Sequence, residues 1–231
     1  MKKLIAILAI SLLAVTAVFA QQSDPAEPNA GRAVDVSQSG GDSGGSSSSG
    51  SNFLIGFKAG IGISRLYVKD TQEVYDNENL AGIVGWQIGA RMGYFFNNMF
   101  GIIVDLEYIK KGFDDSYWLY KQELHLHYLD VNLMFAVKAG GFYGGIGIYA
   151  GFKMSAKYYQ DDVATDVSSG IKSNDFGLVL TLGFMFGGPM KIFVGLDVKL
   201  GLTDVFEGNG TSRFEYRNLG VYLNAGILFG L

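Results

Sequence analysis

Eight segments of the chain alternate apolar and polar residues with period two. In the first, Phe53, Ile55, Phe57, Ala59, Ile61 and Ile63 share one face, and Gly56, Lys58, Gly60, Gly62 and Ser64 share the other. The last reads the same way: Val221, Leu223, Ala225, Ile227, Phe229 and Leu231 oppose Tyr222, Asn224, Gly226 and Gly230. Successive side chains on a strand point to opposite sides, so each segment predicts a strand with one apolar face. Over the five or six apolar positions counted on each of the eight, that face carries no charged side chain, although 17% of the chain is charged. A hydrocarbon solvent imposes this exclusion on the outer wall of a membrane β-barrel, where an open sheet edge is forbidden as well.

The strands are predicted near 53–66, 82–96, 99–112, 123–138, 142–158, 174–186, 190–203 and 216–231. Their connections alternate in length. Asn97-Asn98, Ala139-Gly140-Gly141 and Gly187-Gly188-Pro189 are tight turns, built from residues that tolerate positive φ or end a ladder. Long connections fall at about 67–81, 113–122, 159–173 and 204–215. This alternation predicts an all-β fold, an eight-stranded antiparallel up-and-down transmembrane β-barrel with both termini on the short-turn side. In an outer membrane that side faces the periplasm.

Parity also predicts what fills the barrel. Lys58, Arg91, Lys153 and Lys199 point inward with Asp105, Glu107, Asp130 and Asp197, at similar heights and in equal numbers of either sign. Gln87, Asn132, Tyr149 and Asn224 lie among them. The interior of an eight-stranded barrel is narrow enough for side chains to fill, and buried charge must be paired, so the belt is expected to form a network that closes the lumen. The alternative is a narrow channel for small solutes. A soluble barrel with the apolar face turned inward would need a solvated outer face about 25 to 35% charged. Here the polar face is mostly glycine with a few balanced charges.

The N-terminal residues refine the location. Lys2 and Lys3 precede an apolar run from Leu4 to Phe19, and Val18 and Ala20 are the small residues before a cleavage point. Residues 1–20 are thus expected to be a secretory signal peptide, with an uncleaved anchor as the alternative. Residues 21–52 hold two of the three prolines and a Gly/Ser tract, and are expected to be a disordered periplasmic linker before the barrel domain at 53–231. The chain has no cysteine, so neither a disulfide nor a lipoprotein thiol enters the fold. With a net charge of −4 and no basic cluster, nucleic acid is excluded as a partner. The expected partners are outer-membrane lipids, lipopolysaccharide and, during insertion, the barrel-assembly machinery. No cofactor is expected.

Four stretches resemble the small outer-membrane β-barrel family of exported bacterial proteins, the PorT-like or porin family. They are Tyr108-Ile-Lys-Lys-Gly-Phe113, Tyr128-Leu-Asp-Val131, Asp175-Phe-Gly-Leu178 and Gly201-Leu-Thr-Asp204, in an order that spans nearly all of 53–231. The family often has Glu-Ile-Pro where this chain has Asp130-Val131-Asn132, and commonly ends in an aromatic residue where this one has Leu231. The resemblance implies an eight-stranded barrel in the bacterial outer membrane and supplies no catalytic residues.

Candidate chemistry is sparse. His125 and His127, two apart on one strand, share its lipid-facing side beyond the apolar core and could hold a metal or act as a base. The nearest hydroxyls, Ser116 and Tyr128, complete no recognisable catalytic arrangement, so a lipid-modifying enzyme ranks behind a non-enzymatic barrel. The first long loop carries Lys69, Asp70, Glu73, Asp76 and Glu78, and the third Asp161, Asp162, Asp166 and Lys172. Both loops are acidic, which suits a solvated rim; their spacing matches no calcium loop. Gly145, Gly147 and Gly151 keep strand alternation and lead into no helix, so they form no phosphate-binding turn. Trp86, Tyr94, Phe96 and Tyr108 are expected to be membrane-interface anchors. Tyr117 and Trp118 are candidates for recognition at a loop tip.

Overall fold

The alternating segments pair in sequence order. In the computed structural model, residues 52–70, 81–114, 122–161, 163–207 and 214–231 are described. The strands are β1 (Phe53–Asp70), β2 (Ile83–Phe95), β3 (Phe100–Asp114), β4 (Gln122–Ala139), β5 (Phe142–Gln160), β6 (Val163–Asp166), β7 (Asn174–Gly187), β8 (Met190–Gly201) and β9 (Phe214–Gly230). Every neighbouring pair is antiparallel. β1 pairs with β9 and β4 with β5, so eight strands close on themselves and leave no edge among them. β6 stands outside the barrel as a short hairpin on the far end of β5, from Lys157 opposite Asp166 to Gln160 opposite Val163.

The registers give the barrel its dimensions. From Leu54 the paired residues run to Gly93, Ile103, Met134, Gly147, Val179, Lys199 and Gly220, and return to β1 at Ser64, ten residues further along. A shear of that size on eight strands corresponds to a tilt of about 41° and a backbone radius of about 8 Å. The bore is therefore a few side chains wide.

The strands outrun the predicted ones at the long-loop end, where β1 reaches Asp70, β3 Asp114 and β5 Gln160. Lipid no longer covers the outer face there, so the alternation signal fades while the backbone partner persists, although Val68 and Phe113 still pack inward. At the opposite end the turns are as short as predicted. Asn97 closes one by accepting from Met99 N–H and Phe100 N–H through its side-chain oxygen at 2.8 and 2.7 Å. Gly140, at φ +59°, and Gly187, at φ +117°, supply the left-handed residues of the other two.

Burial alternates along the strands, and it is the apolar set that is exposed. Phe57 is 72% exposed, Ile61 60%, Ile148 60% and Phe184 63%, while Lys58, Arg91, Asp105 and Glu107 are at most 2% exposed. This is inside-out relative to a protein solvated by water. Aromatic pairs mark the two borders of the apolar band. Trp86 and Tyr108 lie 5.5 Å apart toward the long loops, and Tyr94 and Phe96 lie 5.6 Å apart toward the short turns. Trp86 and Tyr94 are eight residues apart on β2, about 20 Å along the barrel axis at this tilt, close to the ~25 Å apolar band of such barrels.

Candidate functional site

Inside the barrel three layers stack. At the short-turn end Leu54, Phe95, Ile103, Met134, Phe193 and Leu228 form an apolar plug. At the long-loop end a second plug contains Leu66, Ile109, Leu126, Tyr128, Ile171 and Val205. Ile171 and Val205 come from the connections, which fold inward through the bridge between Ile171 and Phe206 and the 3-10 turn Ser168–Gly170. Rings are accommodated where a neighbouring strand has no side chain: a Cβ on Gly226 would lie 2.5 Å from the Phe193 ring.

Between the plugs lies a continuous ionic layer. Arg91 grips Asp105 with two parallel bonds, Nε to Oδ1 at 2.8 Å and Nη2 to Oδ2 at 2.7 Å, and its guanidinium carbon sits 4.8 Å from the centre of the Phe193 ring. Lys58 Nζ donates to Asp105 at 3.0 Å, to Asp197 at 2.7 Å and to Glu107. Lys199 bridges Glu107 at 2.7 Å and Asp130 at 2.9 Å. Lys111 bridges Asp130 at 3.0 Å and Asp175 at 2.9 Å, with its ammonium 4.4 Å from the centre of the Tyr149 ring.

Neutral donors serve the carboxylates as well, although Asp197 Oδ1 has no hydrogen-bond partner among the described residues. Asn132 bonds Glu107 at 2.9 Å, Gln87 bonds Asp197 at 3.2 Å, and Asn218 and Tyr149 bond Asp175 at 2.9 and 3.1 Å. The layer thus holds four cations, Lys58, Arg91, Lys111 and Lys199, and five carboxylates, Asp105, Glu107, Asp130, Asp175 and Asp197. The surplus carboxylate is why amide and phenol donors crowd around this layer, since burying charge in low dielectric is costly unless each oxygen is satisfied.

Asp105, Glu107 and Asp197 bring oxygens within 4.8 Å of one another, a spacing at which carboxylates can hold a metal ion. Lys58 Nζ is bonded to all three, so the cation of this cage is the chain's own ammonium.

Seven of the eight residues expected in the belt lie in this layer. Lys153 does not. It sits two residues nearer the loops than the layer's position on β5, and its ammonium is captured by the Ser168 carbonyl at 2.6 Å and by the Ile171 carbonyl. A β-bulge then follows: Tyr128 pairs with Lys153 but His127 with Ser155, leaving Met154 unopposed. The extra residue reverses parity, so Ala156 points inward and Lys157 outward. The sequence reading missed Lys111 and Asp175 because both sit close to strand ends, where alternation is read least securely. The signal was present in another form. Lys111, Asp130, Asp175 and Thr203 come one each from the four quoted stretches, and all meet here, Thr203 Oγ1 donating to Asp175 at 3.2 Å.

Among the expected interfacial residues, the His127 ring stacks on Tyr108 at 5.5 Å and meets Trp86 edge-on at 6.1 Å. His125 Nε2 lies 2.7 Å from Glu123, with the Tyr159 ring 4.5 Å away. Tyr117 and Trp118 lie outside the described residues, as do Glu73, Asp76, Glu78 and Asp162 of the acidic loops. An open cleft of about 460 Å³ lies at the long-loop end, lined by Lys172, Asp204, Glu215 and Arg217 with Phe176 and Leu202. Its charges are paired, Lys172 with Asp204 at 3.8 Å and Arg217 with Glu215 at 2.5 Å.

The family model for the outer membrane protein beta-barrel domain matches residues 19–207. The chain belongs to that family. It is a protein of the bacterial outer membrane, and the exposed apolar wall faces lipid. No curated protein matches it. Among solved structures it is similar in fold to OprG from Pseudomonas aeruginosa, at 14% identity over 78% of this chain and 95% of that one, with a TM-score of 0.45. Neisserial surface protein A is similar at 10% identity over 78% and 98%, with a TM-score of 0.44. The third is Ail, the attachment invasion locus protein of Yersinia pestis, in complex with the heparin analogue sucrose octasulfate, at 18% identity over 77% and 99%, with a TM-score of 0.39.

Proposed function

We propose that the chain is a closed barrel whose work is done at its outer rim, as a structural or surface-interaction protein of the outer membrane. The observation that carries this reading is the layered lumen, in which an interlinked ionic layer lies between two apolar plugs. A solute crossing it would have to break several buried ion pairs, each costly to separate. In this reading residues 1–20 direct export and 21–52 form a periplasmic linker, the barrel-assembly machinery inserts the domain, and the long loops face outward.

The role is non-enzymatic. His125, the histidine best placed to act as a base, is held by Glu123 and covered by Tyr159. Liposomes containing the purified protein should not swell in small sugars; swelling at porin-like rates would replace this reading with a narrow channel. A lipid-modifying activity lost on His125→Ala would replace it with an enzyme.

A further inference from the structure

The half of the barrel between the ionic layer and the short turns carries almost no charge. Residues 52–57, 92–104, 131–152, 176–196 and 218–231 contain two charged side chains, Lys138 near the end of β4 and Lys191 at the start of β8. Both turn into the barrel. Lys138 lies opposite the buried Tyr143 and holds its ammonium 4.8 Å from the centre of the buried Phe95 ring, and Lys191 lies opposite the buried Leu228. Directly opposed residues share one face of a sheet, so both lysines belong to the inner face. Their strands are three apart round the ring, which sets the two Cα atoms about 15 Å apart at a backbone radius of about 8 Å. The side chains therefore reach toward each other across the short-turn mouth.

Alone, that arrangement is unfavourable. Among the described residues Lys191 is the charged group whose field acts on Lys138, and neither lysine has a carboxylate within ion-pair distance. Each is nevertheless held in place, Lys138 by the Phe95 ring and Lys191 by the Gly188 carbonyl at 3.0 Å. An anionic group between them would relieve the repulsion and find its cations already positioned. The rim beside each lysine is low. Gly140-Gly141 follows Lys138 and Gly187-Gly188 precedes Lys191, and a Cβ on Gly140 or Gly188 would meet nothing within 4 Å. Another backbone can come close where side chains are missing. We propose that the short-turn mouth docks an acidic peptide, one carboxylate of which bridges Lys138 and Lys191 while its backbone lies across the glycine turns. In the proposed orientation the peptide comes from the periplasm, and the apolar plug behind the lysines keeps the lumen closed.

The test uses the full-length protein in phosphatidylcholine nanodiscs, titrated with dye-labelled triglutamate and triglutamine peptides and read by fluorescence anisotropy. Triglutamate should bind at least ~10-fold more tightly than triglutamine, the worth of one charge-assisted hydrogen bond or more. Lys138→Gln with Lys191→Gln should remove that difference, and Lys138→Arg with Lys191→Arg should keep it. Lys110→Gln with Lys157→Gln, near the long-loop end, should leave it unchanged. The gel-shift of the folded barrel on heating checks that every variant is folded. Equal binding of the two peptides, or unchanged triglutamate binding by the Lys138/Lys191 glutamine variant, would overturn the site. Inorganic phosphate competing at the peptide's own concentration would make it a free-anion site, and loss of peptide binding in discs containing phosphatidylglycerol would make it a lipid contact; either overturns the peptide. None of these results bears on whether the lumen conducts.

Discussion

Replacing Lys58 with methionine keeps the unbranched stem of the side chain and removes its ammonium from the centre of the ionic layer. The ammonium is bonded to Asp105, Glu107 and Asp197, all essentially inaccessible to solvent. Its loss changes the layer from four cations against five carboxylates to three against five. Removing one partner of a buried ion pair costs about 3 to 5 kcal/mol, because the other charge stays buried and uncompensated. The assay is urea unfolding in detergent micelles, followed by tryptophan emission and by the gel mobility of the folded form. Lys58→Met should lose about 3 to 5 kcal/mol, and adding Asp197→Asn should recover at least ~1 kcal/mol by removing one of the stranded charges. A loss below about 1 kcal/mol would refute the reasoning, because it would mean that water reaches these carboxylates and screens them.

Ile148, 60% exposed on β5, should tolerate arginine poorly in a bilayer: Ile148→Arg is expected to cost about 2 to 4 kcal/mol in vesicles, whereas an ordinary solvated position would lose less than ~0.5 kcal/mol. Brominated lipids should quench the tryptophan emission of the native protein, and Trp86→Phe should abolish most of that quenching, measured by comparing lipids brominated at different depths. Gly112→Ala should destabilise the barrel by at least ~1 to 3 kcal/mol in urea titrations. Gly112 has φ +145°, and a Cβ there would collide with the Leu124 carbonyl and lie 2.9 Å from Ile83 Cδ1.

Where lipid contacts one face and the packed lumen the other, period two is enforced residue by residue, and the strands could be read from Phe57 and Lys58 or from Leu106 and Glu107. That enforcement ends at the membrane border. The hairpin β6, the loop residues Ile171 and Val205 that enter the upper plug, and the extension of β1 to Asp70 all lie beyond it. The bulge at Met154 is illegible for a different reason. A single inserted residue changes no composition, only parity, so parity alone would carry Lys157 toward the lumen; Lys153, on the near side of the bulge, keeps its inward parity and misses the belt by height. Lys111 and Asp175 were within reach of the same parity argument, and the quoted stretches that contain them point to the place where they meet. Function is the least legible part, because the ionic layer is an interior that stabilises and seals, while recognition belongs to the rim and loops.

The central claim is that the lumen is sealed. Ion current across planar bilayers containing the purified native protein, recorded in concentrated KCl, tests it most directly. A sealed barrel leaves the current at the lipid baseline across the voltage range. Steady ohmic steps that scale with protein insertion would show a continuous water path through the ionic layer and contradict the account.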